Sequence, residues 1–142
     1  MWFATEIALK PKSRGVHLVT SEITRMVPEI QNYKVGMMHL LLQHTSAGLS
    51  INENADPDVR IDMSEFIERL VPEGLSYFQH TLEGADDMPA HIKSSLFGVE
   101  LTLPIHKGCL ALGTWQGINL GEFRNAGGAR RIHVTLYGEM YD

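Results

Sequence analysis

Three short polar blocks carry the residues able to do chemistry: His44-Thr45-Ser46 with Asn52-Glu53-Asn54, then His80 through Ser95, then Thr114-Trp115-Gln116-Gly117 with Glu122 and Arg124. The middle block gathers His80, Glu83, Asp86, Asp87, His91, Lys93, Ser94 and Ser95. Titratable groups that crowd together shift one another's pKa, which is the raw material of an active site. Three imidazoles from separate segments, His44, His80 and His91, could bind a divalent metal (zinc or magnesium) and leave a position open for water or substrate. No two of them fall at the spacing of a single-helix ligand pair. The alternative is that His44 satisfies a backbone group at a strand end and His80 is solvated. His17, His39, His106 and His133 lie on alternating segments or near turns without clustered partners, and are assigned to structure.

The carboxylates divide by position. Asp56, Asp58 and one of Asp86 and Asp87 suit helix caps or first-turn anions facing a helix dipole. Glu53, Glu83 and Glu122 have no such duty and are candidates for a general base or metal ligand. Lys93, Ser94, Ser95 and Arg124 could hold a phosphate by charge-assisted hydrogen bonds, or could form a solvated helix face. A serine nucleophile would need His91, on the same stripe, to activate it. Trp115 and Gln116 offer a stacking surface and an amide for a flat heterocycle, or else a β-bulge around a core tryptophan.

The elements that must position these residues follow from periodicity. Phe3, Thr5, Ile7 and Leu9 alternate with Trp2, Ala4, Glu6 and Ala8, which predicts a strand. Pro11 to Gly15 turns the chain into a second strand, Val16 to Thr20, expected to pair with the first as a hairpin. Ser21 is placed to cap a short helix ending near Pro28. Met37 to Leu42 reads as a central strand ending at His44, with a turn at Ala47-Gly48 and a return strand over Leu49 to Asn52. Asp56-Pro57 starts a helix whose stripe of Val59, Met63, Phe66, Ile67 and Leu70 is expected to be buried. Asp86 or Asp87 caps a third helix, with Met88, Ile92 and Leu96 inward, Asp87, His91, Ser94 and Ser95 on an adjacent stripe, and Lys93 directed away from both. Strands follow over Val99 to Leu103, Gly108 to Gly113, Ile118 to Phe123 and Arg131 to Gly138, with a turn at Gly127-Gly128. The sum is an α+β chain of about seven to eight mostly sequential strands, in antiparallel sheet, with three helices. No βαβ unit with a glycine-rich phosphate loop is present, which argues against a nucleotide-binding fold.

Composition narrows the class. The 142 residues are 44% hydrophobic and 20% charged, as expected of one globular domain, residues 1–142. Seventeen acidic against twelve basic residues give a net charge of −5, which disfavours a nucleic-acid partner. The single cysteine, Cys109, excludes an internal disulfide and is expected to be a buried thiol beside Leu110 and Leu112. Met1-Trp2-Phe3 leads directly into a strand pattern, and no apolar run approaches the roughly 18–20 residues of a membrane span. A soluble cytoplasmic chain is expected.

Taken together, His44-Thr45-Ser46-Ala47, Asn52-Glu53-Asn54 with Asp56-Pro57-Asp58, the run from Glu83 to Pro89 with His91 to Ser95, and Gly113 to Gly117 resemble the YjbQ family, whose members are often named secondary thiamine-phosphate synthase enzymes. The resemblance spans about residues 3 to 139. It implies an antiparallel β-sandwich, a homotrimer and a pocket near the subunit interfaces. The positions it carries over are His44, Glu53, His80, His91, Lys93, Ser94, Ser95, Trp115, Gln116, Glu122 and Arg124. The activity it implies is transfer between a pyrimidine diphosphate and a thiazole phosphate with loss of pyrophosphate, a reaction that needs electrostatic stabilisation more than a nucleophile. The expected function is therefore an enzyme acting on a small phosphorylated heteroaromatic substrate. A metal-dependent hydrolase of a phosphoester or ester, with Glu53 or Glu83 as base, is the first rival. A non-catalytic module that retains a ligand or metal is the second.

Overall fold

A computed structural model describes all 142 residues. Eight strands form two antiparallel sheets, accompanied by three α-helices. The strands are β1 (Trp2–Leu9), β2 (Gly15–Leu18), β3 (Tyr33–Leu42), β4 (Ala47–Glu53), β5 (Glu100–His106), β6 (Cys109–Leu110), β7 (Gln116–Glu122) and β8 (Arg130–Met140). The helices are α1 (Thr20–Met26), α2 (Pro57–Leu70) and α3 (Asp87–Phe97), with a 3-10 turn over Pro28–Asn32. The larger sheet runs β1-β8-β3-β5-β6 and the smaller β2-β7-β4.

The two sheets face each other across one core. Ile7, Leu9, Leu40, Ile132 and Val134 from the larger sheet meet Leu49, Ile118 and Leu120 from the smaller, and Ile23 of α1 closes one side. Alternation along each strand sends its other residues outward. The larger sheet has no helix on its outer face, so Trp2, Met37, Leu41 and Tyr137 stand exposed there. Helices α2 and α3 lie against β2 and β4 of the smaller sheet.

Several sequence expectations fail here. Strands β1 and β2 are not a hairpin, because β1 pairs with β8 and β2 with β7 in different sheets. Neighbours in the sheets are therefore seldom neighbours in sequence. The apolar stripe of α2 is not buried: no residue of that helix is, and Phe66 is 67% exposed. Polar bonds attach α2 instead, with Ser64 Oγ accepting from Val16 N–H at 3.0 Å and Arg14 bridging to Glu68 and Glu73 at 2.6 Å each. Helix α3 is rotated from its expected setting. It buries Asp87, Pro89, Ala90, Lys93 and Ser94 and leaves Leu96 exposed. The reason is close packing on β4: a Cβ on Gly48 would lie 2.6 Å from Phe97 Cβ, so only small groups fit between helix and strand. Ser94 Oγ–H completes the contact by donating to the Ala47 carbonyl at 2.7 Å. Cys109 is exposed rather than buried, since it sits on the two-residue edge strand β6.

Candidate functional site

The rotation of α3 decides what its first turn does. Asp56 caps α2 as expected, its side chain accepting from Asp58 N–H at 2.9 Å. Asp86 occupies the corresponding position of α3 but makes no capping bond. Its carboxylate accepts instead from Arg124 Nε–H at 2.8 Å and Asn125 N–H at 2.9 Å. Asp87, expected to be a helix cap or a first-turn anion, is 1% exposed and central to the site. One oxygen accepts from the Arg124 guanidinium, and the other lies 2.6 Å from His80 Nε2 and 3.2 Å from His91 Nε2. Burial pushes the Asp87 carboxyl up, but the His80 hydrogen bond and the charges of His91 and Arg124 outweigh it and hold it below the ordinary carboxylate range. Glu83 Oε2 stands 3.8 Å from His80 Nε2.

His91 fixes the character of this cluster. Its Nδ1–H donates to the Thr45 carbonyl at 2.8 Å, which leaves Nε2 turned toward Asp87 Oδ2. A bare lone pair against a carboxylate oxygen is repulsive, so the geometry calls for a proton or a metal cation between them. Donation of the second ring N–H to a carbonyl is also what orients imidazoles that bind metals. The ligand atoms of His80, Asp87 and His91 all lie within 4.8 Å of one another. Ligands about 2.0–2.1 Å from one tetrahedral ion are roughly 3.3 Å apart. The His91–Asp87 separation already matches, and the 2.6 Å His80–Asp87 contact would open by about 0.7 Å to admit the ion. Two imidazoles and a carboxylate suit zinc better than magnesium, which prefers an all-oxygen shell.

Two clefts meet this cluster. One, of about 320 Å³, is lined by His44, Thr45, His91, Ser94, Ser95, Gly98 and Val99. The other, of about 180 Å³, lies on the His80 side with Leu75, Phe78, Thr81 and Met88. Neither carries a lysine or an arginine.

Several expected site residues lie elsewhere. Lys93, expected to point to solvent and hold phosphate, is fully buried. Its Nζ donates to Glu68 at 2.7 Å, which ties α3 to α2. Glu122, expected as a base, is also fully buried and receives two bonds from Arg130, at 2.6 and 2.8 Å. Both of its oxygens are engaged by Arg130, and the side chain does not line the cleft. Arg124 is held by Asp86, Asp87 and the Glu83 carbonyl, so it positions the cluster rather than standing free for a phosphate. Ser94 and Ser95 both line the cleft, but Ser94 is buried with its hydroxyl committed to the Ala47 carbonyl, which leaves Ser95 as the exposed one. His44 does not join the metal cluster, because its Nε2 accepts from Arg131 N–H at 2.8 Å. It satisfies a backbone group at a strand end, the alternative that its position in the sequence left open.

Glu53, Trp115 and Gln116 form a separate group. Glu53 pairs with Gln116 at one end of the β4–β7 ladder, while Ala47, next to the histidines, pairs with Glu122 at the other. That length of extended strand separates the ends by about 20 Å. Asn54 Nδ2 pins this far loop by donating to the carbonyls of Thr114 (3.0 Å) and Gln116 (2.9 Å), leaving Trp115 65% exposed. Within one chain the Thr114–Gly117 segment of the third polar block does not reach the histidines, whereas Arg124 of the same block does, through Asp87.

Residues 5–139 match the family described as UPF0047 protein YjbQ-like. The chain belongs to this family. It is 55% identical over 139 residues to the UPF0047 protein YjbQ of Escherichia coli O157:H7, covering 98% of this chain and all of that one. Among solved structures, a YbjQ-like protein of unknown function from Sulfolobus solfataricus P2 shares the fold, with a TM-score of 0.84 at 24% identity over 98% of this chain and 99% of that one. A conserved hypothetical protein from Thermus thermophilus aligns with a TM-score of 0.78 at 33% identity, over 92% and 97% of the two chains. The YjbQ-like fold expected from the sequence is thus established, while these relatives carry no assigned reaction. No helix of the chain is long and apolar enough to cross a membrane.

Proposed function

We propose that the protein is a metal-dependent hydrolase of a small ester or phosphoester, with His80, Asp87 and His91 holding a divalent cation, zinc by the chemistry of the donors. The observation that carries this reading is the convergence of two imidazole Nε2 atoms on one buried Asp87 oxygen, with His91 oriented from behind by Thr45. A cation held there would polarise a substrate oxygen and acidify water. Glu83 is the carboxylate beside the cluster whose side chain is not committed to an arginine, and it is placed to take the proton from an attacking water. Ser95 and Thr45 supply hydroxyls to the substrate in the larger cleft.

This reading is favoured over pyrimidine–thiazole transfer for a physical reason. Lys93 and Arg124 are both engaged, so the cleft has no free cation for a diphosphate, and Trp115 and Gln116 lie about 20 Å away along β4. The transfer reaction would need that loop from a neighbouring copy. Assembly as a homotrimer is part of the proposal, and the exposed apolar groove of Val59, Met63, Phe66 and Ile67 beside Phe97 is a face that a neighbouring copy would cover.

The test is metal content of tag-free protein after exhaustive dialysis, with turnover of 4-nitrophenyl acetate and 4-nitrophenyl phosphate before and after chelation. Near-stoichiometric zinc, lost in His80→Ala and His91→Ala, with chelator-sensitive turnover is expected. Folded wild-type protein that binds no added zinc would sink the hydrolase.

A further inference from the structure

Outside the metal cluster His44 has no ligand duty, and its hydrogen bonding points to another. The β3–β8 ladder ends at the pair Leu42 and Ile132. Beyond it Gln43 N–H still donates to the Arg131 carbonyl at 3.0 Å, but Arg131 N–H turns to His44 Nε2 at 2.8 Å. The imidazole takes the place of the next strand carbonyl. A backbone N–H can only donate, so Nε2 carries the lone pair and the single ring proton sits on Nδ1. A second proton on Nε2 would set two N–H groups head to head. The surroundings oppose it as well: burial, then the guanidiniums of Arg130 and Arg131, hold the imidazole below its ordinary range. Glu122 alone pulls the other way, and Arg130 neutralises it through two bonds. His44 is therefore unsuited to act as acid or base.

His44 nevertheless lines the larger cleft with Thr45, His91 and Ser95, and no group of the chain accepts from its Nδ1–H. A polar hydrogen fixed in orientation before substrate arrives is the kind of donor that stabilises developing negative charge most strongly. We propose that His44 is a neutral hydrogen-bond donor of the site, its Nδ1–H serving the anionic or polarised oxygen of the substrate. This rests on the larger cleft being the substrate site, but not on the metal. The same geometry explains how an oxygen-bearing substrate is held in a cleft without lysine or arginine.

The test uses the full chain, metal-free, labelled with ¹⁵N in its histidines, and inorganic phosphate as the probe. Long-range ¹H–¹⁵N spectra should show His44 as the neutral Nδ1–H tautomer at neutral pH, with imidazolium forming only below the ordinary histidine range. Phosphate should move that Nδ1 resonance. His44→Asn, which keeps an N–H near the Nδ1 position, should retain phosphate binding. His44→Gln keeps an acceptor for Arg131 and displaces the donor, so it should weaken binding by about 10-fold or more. The proposal is overturned by an Nε2–H tautomer, by imidazolium forming near the ordinary histidine pKa, by a phosphate-insensitive Nδ1, or by equal affinity in His44→Gln and wild type. Metal-free conditions keep the outcome separate from that of the zinc measurement.

Discussion

Asp87→Asn bears on the whole construction of the histidine cluster, and its effect can be worked from the contacts. One oxygen of this buried carboxylate serves His80 and His91, and the other serves Arg124. An asparagine must turn its NH₂ toward one side or the other, so either the guanidinium or an imidazole N–H meets a donor. Leaving one buried donor unmet costs about 1–3 kcal/mol, while breaking a fully buried charge pair costs roughly 3–5 kcal/mol. Arg124 keeps Asp86 at 2.8 Å and the Glu83 carbonyl at 2.9 Å, so the loss belongs near the lower range, about 2 kcal/mol. For a domain of this size that is roughly 4–8 °C in Tm. Zinc should suffer more, because a charged ligand is removed. Loss of a partner one shell further out already costs about 10–100-fold in metal affinity, so a loss beyond about 100-fold is expected. Urea unfolding of metal-free protein and zinc titration against a competing chelator measure the two effects. The Asp87 carboxyl is held below its unfolded value, so its stabilisation is present above about pH 4 and is lost as pH falls through the folded pKa. The difference between wild type and Asp87→Asn should shrink accordingly in acid. Wild-type zinc affinity in the variant, or a stability gap unchanged at about pH 2, would refute the reasoning.

Lys93 and Glu68 should respond asymmetrically to urea. Lys93→Met leaves Glu68 partly solvated and still paired with Arg14, so it should cost under about 1 kcal/mol, whereas Glu68→Ala strands a buried ammonium and should cost about 3 kcal/mol. Gly48→Ala forces a Cβ into Phe97 and the Gly98 carbonyl, 2.6 and 3.0 Å away. It should destabilise by about 1–3 kcal/mol and, by displacing α3, weaken zinc binding in the same titration. Phe66→Glu on the open face of α2 should lower the oligomeric mass seen by light scattering while leaving the circular dichroism spectrum unchanged; an unaltered mass would remove that face from the assembly. Trp115→Ala, at the far end of the smaller sheet, should leave zinc affinity at the wild-type value.

The legible part of this protein was the local part. Alternation located β1 and β8, Asp56-Pro57 marked the start of α2, and the clustering of polar types marked the neighbourhood of the site. His80 and His91 were legible as partners because one segment of chain carries both. Asp87 stands in the same run, where its position reads as a helix end. The only signal for its true role was its i, i+4 relation to His91, which the expected stripe already contained. Lys93 and Glu122 look like free charges in sequence because their partners, Glu68 and Arg130, sit on other elements.

Sequence alone therefore determined the element types and the candidate residues, since these depend on side-chain periodicity and composition over a few turns or strands, and its motif blocks carried the resemblance to the family. Tertiary structure alone decided that β1 and β2 belong to different sheets, that α3 turns Asp87 and Lys93 inward, and that α2 keeps its apolar stripe in the open. It also separated Trp115 from the histidines by the length of β4 and gave the His44 lone pair to Arg131. Each of those outcomes depends on the facing surface: a glycine that admits a helix, a strand end that lacks an acceptor, or a buried charge that must find its opposite. A chain read residue by residue does not contain the distances between them.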